Sequence, residues 1–175
     1  MTKKSFLLAI VLIVALSCVY AQSFNAEIKA SPYSLQYIKG DNASFLSKYG
    51  FGFETGLRFN FNEVFSMGLN IKYSNYKYDE SADNYHVLYV LMPYIGCTQT
   101  INDKWTLTTD LGVGIHERML GDMKESFVGV NLYLGAGYAI SEKVSLTAGA
   151  DFGLCYQSNS CDFSADAMLG ARFVL

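Results

Sequence analysis

Charge is scarce in this chain. Of 175 residues only 17% are charged, against 51% hydrophobic and 15% aromatic. A soluble domain of this size carries about 25% charge. Proline is scarcer still, with two residues, and tryptophan occurs once. Histidine is limited to His86 and His116, and neither has a cysteine at zinc-ligand spacing. Beyond residue 21 no apolar run approaches the roughly 20 residues that a membrane helix needs. Basic charge is also short. Removing residues 1–21 takes Lys3 and Lys4 and no acid, which leaves 11 basic against 16 acidic residues, a net charge of −5. That excludes nucleic acid as a partner, because a phosphate backbone wants a basic surface. It leaves no polybasic patch for anionic lipid either.

The first residues read as a secretory signal. Lys3 and Lys4 form a charged start, Phe6 to Leu16 an apolar stretch, and Val19 and Ala21 the positions that signal peptidase reads. Cleavage is expected after Ala21, leaving Gln22 first and residues 22–175 as one domain. A lipidated Cys18 is the weaker variant, since Ala15 stands where a lipobox has leucine. Cys97, Cys155 and Cys161 then remain, an odd number that cannot form a complete disulfide framework. The spacing allows a bridge between Cys155 and Cys161 across a tight loop.

What the chain has in abundance is alternation of period two, the mark of strands. Phe51, Phe53, Thr55, Leu57, Phe59 and Phe61 share one face, with Gly52, Glu54, Gly56, Arg58 and Asn60 on the other. The same separation recurs from Phe65, Trp105, Val128, Val144 and Phe163. Two segments are less regular. Pro32 interrupts the one near Asn25 to Gln36. The one from Tyr85 to Thr98 is apolar on both faces and contains Pro93, which predicts a bulge there, since proline cannot donate to a ladder.

Three turns repeat a pattern: Phe61-Asn62-Glu63-Val64-Phe65, Ile101-Asn102-Asp103-Lys104-Trp105 and Ile140-Ser141-Glu142-Lys143-Val144. They lie about 40 residues apart, the length of a strand pair. The other connections, at 38–48, 79–84, 119–126 and 157–160, are more polar and mostly longer. Short turns alternating with longer loops are the two ends of an outer-membrane barrel, turns inside and loops outside.

The polar faces are rich in glycine and carry few charges of both signs. These are Glu27, Glu54, Asp110, Asp151 and Asp166 against Lys29, Arg58, Lys72, Arg118 and Arg172. A solvated face would hold more charge and less glycine. A narrow lumen wants small residues and paired ions, because unpaired buried charge is costly. Aromatics gather at strand ends, as in interfacial girdles: Phe59, Phe61, Phe65 and Trp105 by the short turns, and Phe51, Tyr73, Tyr76, Tyr78, Tyr85, Phe127, Tyr156 and Phe163 by the loops.

From about Asn25 to Leu175 the pattern resembles the small outer-membrane barrel superfamily of the OmpX or OmpA-transmembrane-domain kind. The resemblance implies a closed antiparallel up-and-down cylinder of about eight strands in the outer membrane. It also implies outer-membrane lipids, lipopolysaccharide and the barrel assembly machinery as partners, and a monomer. The final strand departs from that family, with Leu175 in place of a terminal aromatic. Some small barrels modify lipids, but the lipid A deacylase arrangement of histidine and serine two apart on one strand face is missing, because Arg118 stands two after His116. Ser126 lies across the loop from His116. Asp79, Glu80 and Asp83 make an acidic loop that reads as a solvated tip, and Asn42-Ala43-Ser44 is a chance sequon. The alanines at 148, 150, 165, 167 and 171 suit close packing or local curvature. No catalytic set, cofactor or metal is expected. The reading is a non-enzymatic outer-membrane protein with a structural or surface-interaction role. The alternatives are a lipid-modifying barrel and a secreted soluble ligand-binding barrel.

Overall fold

The computed structural model describes residues 21–40, 44–47, 49–77, 85–120, 123–157 and 160–175. The signal segment and Cys18, the acidic loop, Tyr78, and Asn42 and Ala43 of the sequon lie outside the described residues. So do the side chains of Tyr85 and His86. No described helix is long and apolar enough to cross a membrane, a statement that leaves strands untouched.

The strands are β1 (Ser23–Gly40), β2 (Ser44–Leu46), β3 (Tyr49–Asn60), β4 (Phe65–Lys77), β5 (Tyr85–Thr100), β6 (Trp105–Leu120), β7 (Met123–Ala139), β8 (Val144–Gln157) and β9 (Ser160–Val174). Long neighbours pair antiparallel in chain order from β1 through β3 to β9, and β9 pairs back to β1. This closes an eight-stranded cylinder, with the three-residue β2 as an outer appendage on β1. Closure leaves the wall no bare edge.

The repeated turns share one construction. Asn62 Oδ1 accepts from the backbone N–H of Val64 and Phe65, at 2.8 and 2.7 Å. Asn102 Oδ1 does the same for Lys104 and Trp105, at 2.9 and 3.0 Å. Ser141 Oγ does it for Lys143 and Val144, at 3.3 and 3.2 Å. A side chain that mimics a backbone turn fixes each hairpin's register locally. Ser23 and Val174 lie at this same end, where Ser23 pairs with Asn60 and Asn25 with Val174.

Register irregularities mark where the alternation loses phase. β1 bulges against β9 between Ala30 and Tyr33, around Pro32. In β5 the extra residue is not at Pro93, as the sequence suggests, but at Val90–Leu91. Tyr89 faces His116 while Leu91 faces Ile115, and the ladder to β4 shifts over the same stretch. Pro93 stays in register with Leu69. On its β6 side the ladder skips Met92 and Pro93, where proline has no N–H to give. The bulge restores phase, so Met92, Tyr94 and Gly96 point inward while Ile95 and Cys97 point out.

The surface is inverted relative to a soluble protein. The large apolar side chains stand outside, with Leu111 at 47% and Val128 at 65% exposure, and the buried set is mostly polar and charged. A soluble ligand-binding barrel would require the reverse. The aromatic bands are corrected at three positions. Phe65, Trp105, Phe51, Tyr156 and Phe163 do face outward, but Tyr76 and Phe127 follow the inward phase and are buried. Phe59 is covered by Phe24, edge-on at 5.4 Å.

Candidate functional site

Among the described residues, the interior of the cylinder is where polar and charged side chains gather. Alternation turns every second side chain inward, and the pairing registers set which inward groups meet. Glu27, Lys29, Glu54, Arg58, Lys72, Asp110, Asp151 and Asp166 are all buried, while Arg172 and Arg118 lie partly covered near opposite ends.

Next to the short turns is a cluster of three cations and three anions. Glu27 Oε1 accepts from Arg58 Nε and from Arg172 Nε, each at 2.7 Å, and Glu27 Oε2 lies 3.2 Å from Lys29 Nζ. Lys29 donates to Glu54 at 2.8 Å, and Asn70 Nδ2 donates to the same oxygen at 3.0 Å. The other guanidinium nitrogens of Arg58 donate to Ser66 Oγ, at 2.6 Å, and to Asp110. Tyr133 and Tyr94 line the cluster, with Lys29 Nζ 4.2 Å from one ring centroid and Arg58 Cζ 5.2 Å from the other. Further outward Lys72 donates to both Asp151 and Asp166, which face each other across the β8–β9 pair. At the outer mouth Arg118 bridges Asp162, at 2.8 Å, and Glu125. Each ion thus has an opposite partner, the condition under which buried charge is tolerated.

Glycine supplies the room. A Cβ on Gly96 would lie 2.4 Å from Asp110 Oδ1, 2.5 Å from Ser66 Oγ and 2.7 Å from Arg58 Nη1. Gly96→Val should therefore push apart the Arg58–Asp110 contact and cost about 1–3 kcal/mol by overpacking. A lower urea midpoint of the detergent-folded protein checks this, and an unchanged midpoint refutes it.

The interior also holds residues that sequence reasoning missed. Asp162, partner of Arg118, continues the phase of Ser164 and Asp166 one step before Phe163, where the alternation in the sequence begins. Tyr76, Met92 and Tyr94 are the others, and with Tyr133 and Met168, which the alternation does place on the polar faces, they fill the space between ions. His116 is inward and buried, and its Nδ1 contacts Cys155 Sγ. Ser126 is exposed and pairs with Glu117, so the structure does not bring it to His116.

The Cys155–Cys161 bridge is corrected: neither cysteine is in a disulfide. Across the hairpin Cys155 is in register with Asp162, and Cys161 with Tyr156. Cys155 therefore shares the lumen face, and Cys161 shares the outward face of Tyr156. Side chains that leave opposite faces of a sheet cannot be bridged.

The family described as outer membrane protein beta-barrel domain matches residues 6–173. Among solved structures, Neisserial surface protein A is similar with a TM-score of 0.62 at 17% identity, over 87% of this chain and 97% of its own. The attachment invasion locus protein Ail of Yersinia pestis is similar with a TM-score of 0.54 at 18% identity, over 88% and 100%. OprG of Pseudomonas aeruginosa reaches 0.53 at 11% identity, over 89% and 97%. At these identities the likeness is one of fold. No curated protein sequence matches.

Proposed function

The chain belongs to the outer membrane protein beta-barrel domain family, and from that premise we propose that it is a non-catalytic integral protein of the outer membrane, with a lumen closed by its own ion pairs and a role in envelope integrity or surface contact. The observation that carries this reading is the buried ion-pair ladder, which fills the interior where a pore or a reaction site would need space. Eight strands enclose an interior just wide enough for side chains to fill.

Its environment would be phospholipid and lipopolysaccharide around a monomer, delivered by the signal segment and inserted by the barrel assembly machinery. The placement of His116 supports a non-catalytic role: it contacts Cys155 inside, and Ser126 lies elsewhere on the surface. The same fold serves proteins named for surface and attachment roles, which fits the surface-contact reading.

Planar bilayers and a lipid assay test it together. Purified protein is expected to give no stepwise conductance above leak and no turnover of lipid A or phospholipid. Regular open-channel steps would overturn the closed lumen. Lipid hydrolysis by the wild type that His116→Ala abolishes would overturn the non-catalytic role.

A further inference from the structure

The outer wall is not even. An apolar groove of about 450 Å³ runs from Leu111, half-way along the wall, to Phe61 and Phe65 beside the first short turn. Small side chains give it depth. Cys97 and Thr109 pair in register and both stand outward. Longer neighbours flank them: Phe65 pairs with Cys97, and Ile95 pairs with Met67 on one side and Leu111 on the other. At its turn end the groove meets a second cavity of about 430 Å³, and Phe65 lines both. Gln22, Asn62 and Glu63 make this second cavity polar, and none of the residues lining it is basic. Asn62 Oδ1 is held by the backbone N–H of Val64 and Phe65, so Nδ2, the other amide atom, is left as a donor that points away from the turn. The turn is braced as well, since the Thr98 N–H donates to the Val64 carbonyl at 2.7 Å. The two sister turns follow their acid with lysine, as Asp103-Lys104 and Glu142-Lys143, whereas Glu63 is followed by Val64. The turn beside the groove therefore presents a carboxylate with no lysine next to it. Arg172 lies on the lumen side, where Glu27 holds it.

We propose that the two cavities together hold one phospholipid of the surrounding membrane, phosphatidylethanolamine, with an acyl chain in the groove and its amine headgroup over the turn. The groove lies on the wall that faces hydrocarbon, and it runs from the interface towards mid-membrane, the course of an acyl chain. Filling it with such a chain restores the dispersion contacts that the short Cys97 and Thr109 side chains leave unmade. The polar end selects the headgroup. The lipid ammonium pairs with Glu63, and its phosphate oxygens accept from Asn62 Nδ2 and from the Gln22 amide. Hydrogen bonds to ionised groups are the stronger kind. Both headgroup charges then have a complementary partner. A glycerol headgroup has the phosphate but no ammonium, so it would set one negative charge against Glu63 with nothing between them.

The test is native mass spectrometry of the full chain purified from the outer membrane, released from detergent micelles that hold equal amounts of phosphatidylethanolamine and phosphatidylglycerol with the same acyl chains. One lipid is expected to stay on each barrel, with phosphatidylethanolamine favoured about threefold to fivefold, the scale of one exposed ion pair. Glu63→Gln should erase the preference and keep the lipid. Val64→Lys, which rebuilds the acid–lysine order of the sister turns, should erase it too. Cys97→Trp fills the groove and should release the lipid, whereas Leu169→Trp, on β9 across the barrel, should not. Thr109→Trp fills the same groove from β6 and carries the comparison if Cys97→Trp does not fold. A heat-modifiable gel shift verifies the fold of each variant. Each of five results would overturn the proposal: no lipid kept by the parent, equal retention of the two lipids, a preference that survives Glu63→Gln, retention that survives both tryptophans in the groove, or a dimer of this chain in place of the lipid adduct.

Discussion

Replacing Arg58 with methionine is expected to destabilise the barrel by about 3–5 kcal/mol, the cost of removing one partner from a buried ion pair. Arg58 is 0% exposed and joins Glu27, Ser66 and Asp110 through three separate nitrogens. Methionine fills most of the volume, so the loss is electrostatic and not a cavity. Glu27 keeps Lys29 and Arg172, whereas Asp110 is left as a carboxylate in a low-dielectric interior. A second change, Asp110→Asn, should therefore recover part of the loss. Urea unfolding, followed by the fluorescence of Trp105 and by the gel shift, measures both. A single-variant cost under about 1 kcal/mol, typical of exposed pairs, would mean that water screens the interior and that the ion-pair plug is not a structural element.

A charge on the outer wall should be nearly as costly. Leu111 stands 47% exposed between Ile95 and Leu132, about half-way along the wall. Leu111→Arg is expected to cost about 2–4 kcal/mol, the value for arginine at the bilayer midplane. Gln99→Arg, one residue from the end of its strand, should cost about 0–1 kcal/mol. Equilibrium unfolding from lipid vesicles distinguishes the two. Equal, small effects would mean that Leu111 does not face hydrocarbon, and the orientation of the whole wall would have to be redrawn.

The wall was legible in the sequence because a strand's side-chain period is two and lipid exposure leaves one phase apolar. Strand by strand, from Phe51 to Phe173, that phase predicted which side chains face out. It failed where one inserted residue resets it. Pro93 drew attention as a breaker, yet the bulge formed at Val90–Leu91, since β-branched and aliphatic residues carry no local mark of an extra position. Tyr76 and Phe127 misled for a different reason. An aromatic at a strand end can belong to a girdle or to the plug, and only its parity decides.

The lumen was legible as a list of ions but not as a network. Parity puts Arg58 and Asp110 inside, but their contact depends on the stagger of strands 52 positions apart. The His116–Cys155 contact was invisible for the same reason. Loop proximity instead suggested a Cys155–Cys161 pair, which strand parity forbids.

Three of the four hairpin joints at the inner end are covalent turns of one design, while the remaining union, β9 to β1, is made by hydrogen bonds and by groups such as Glu27 and Arg172, 145 positions apart. Pairing across that seam meets the largest loop-closure entropy in the molecule. Assembly therefore passes through an open ribbon whose hairpins are already clasped but whose two margins still lack partners. In hydrocarbon such margins cannot be left bare, so the ribbon must be sheltered until the seam zips shut.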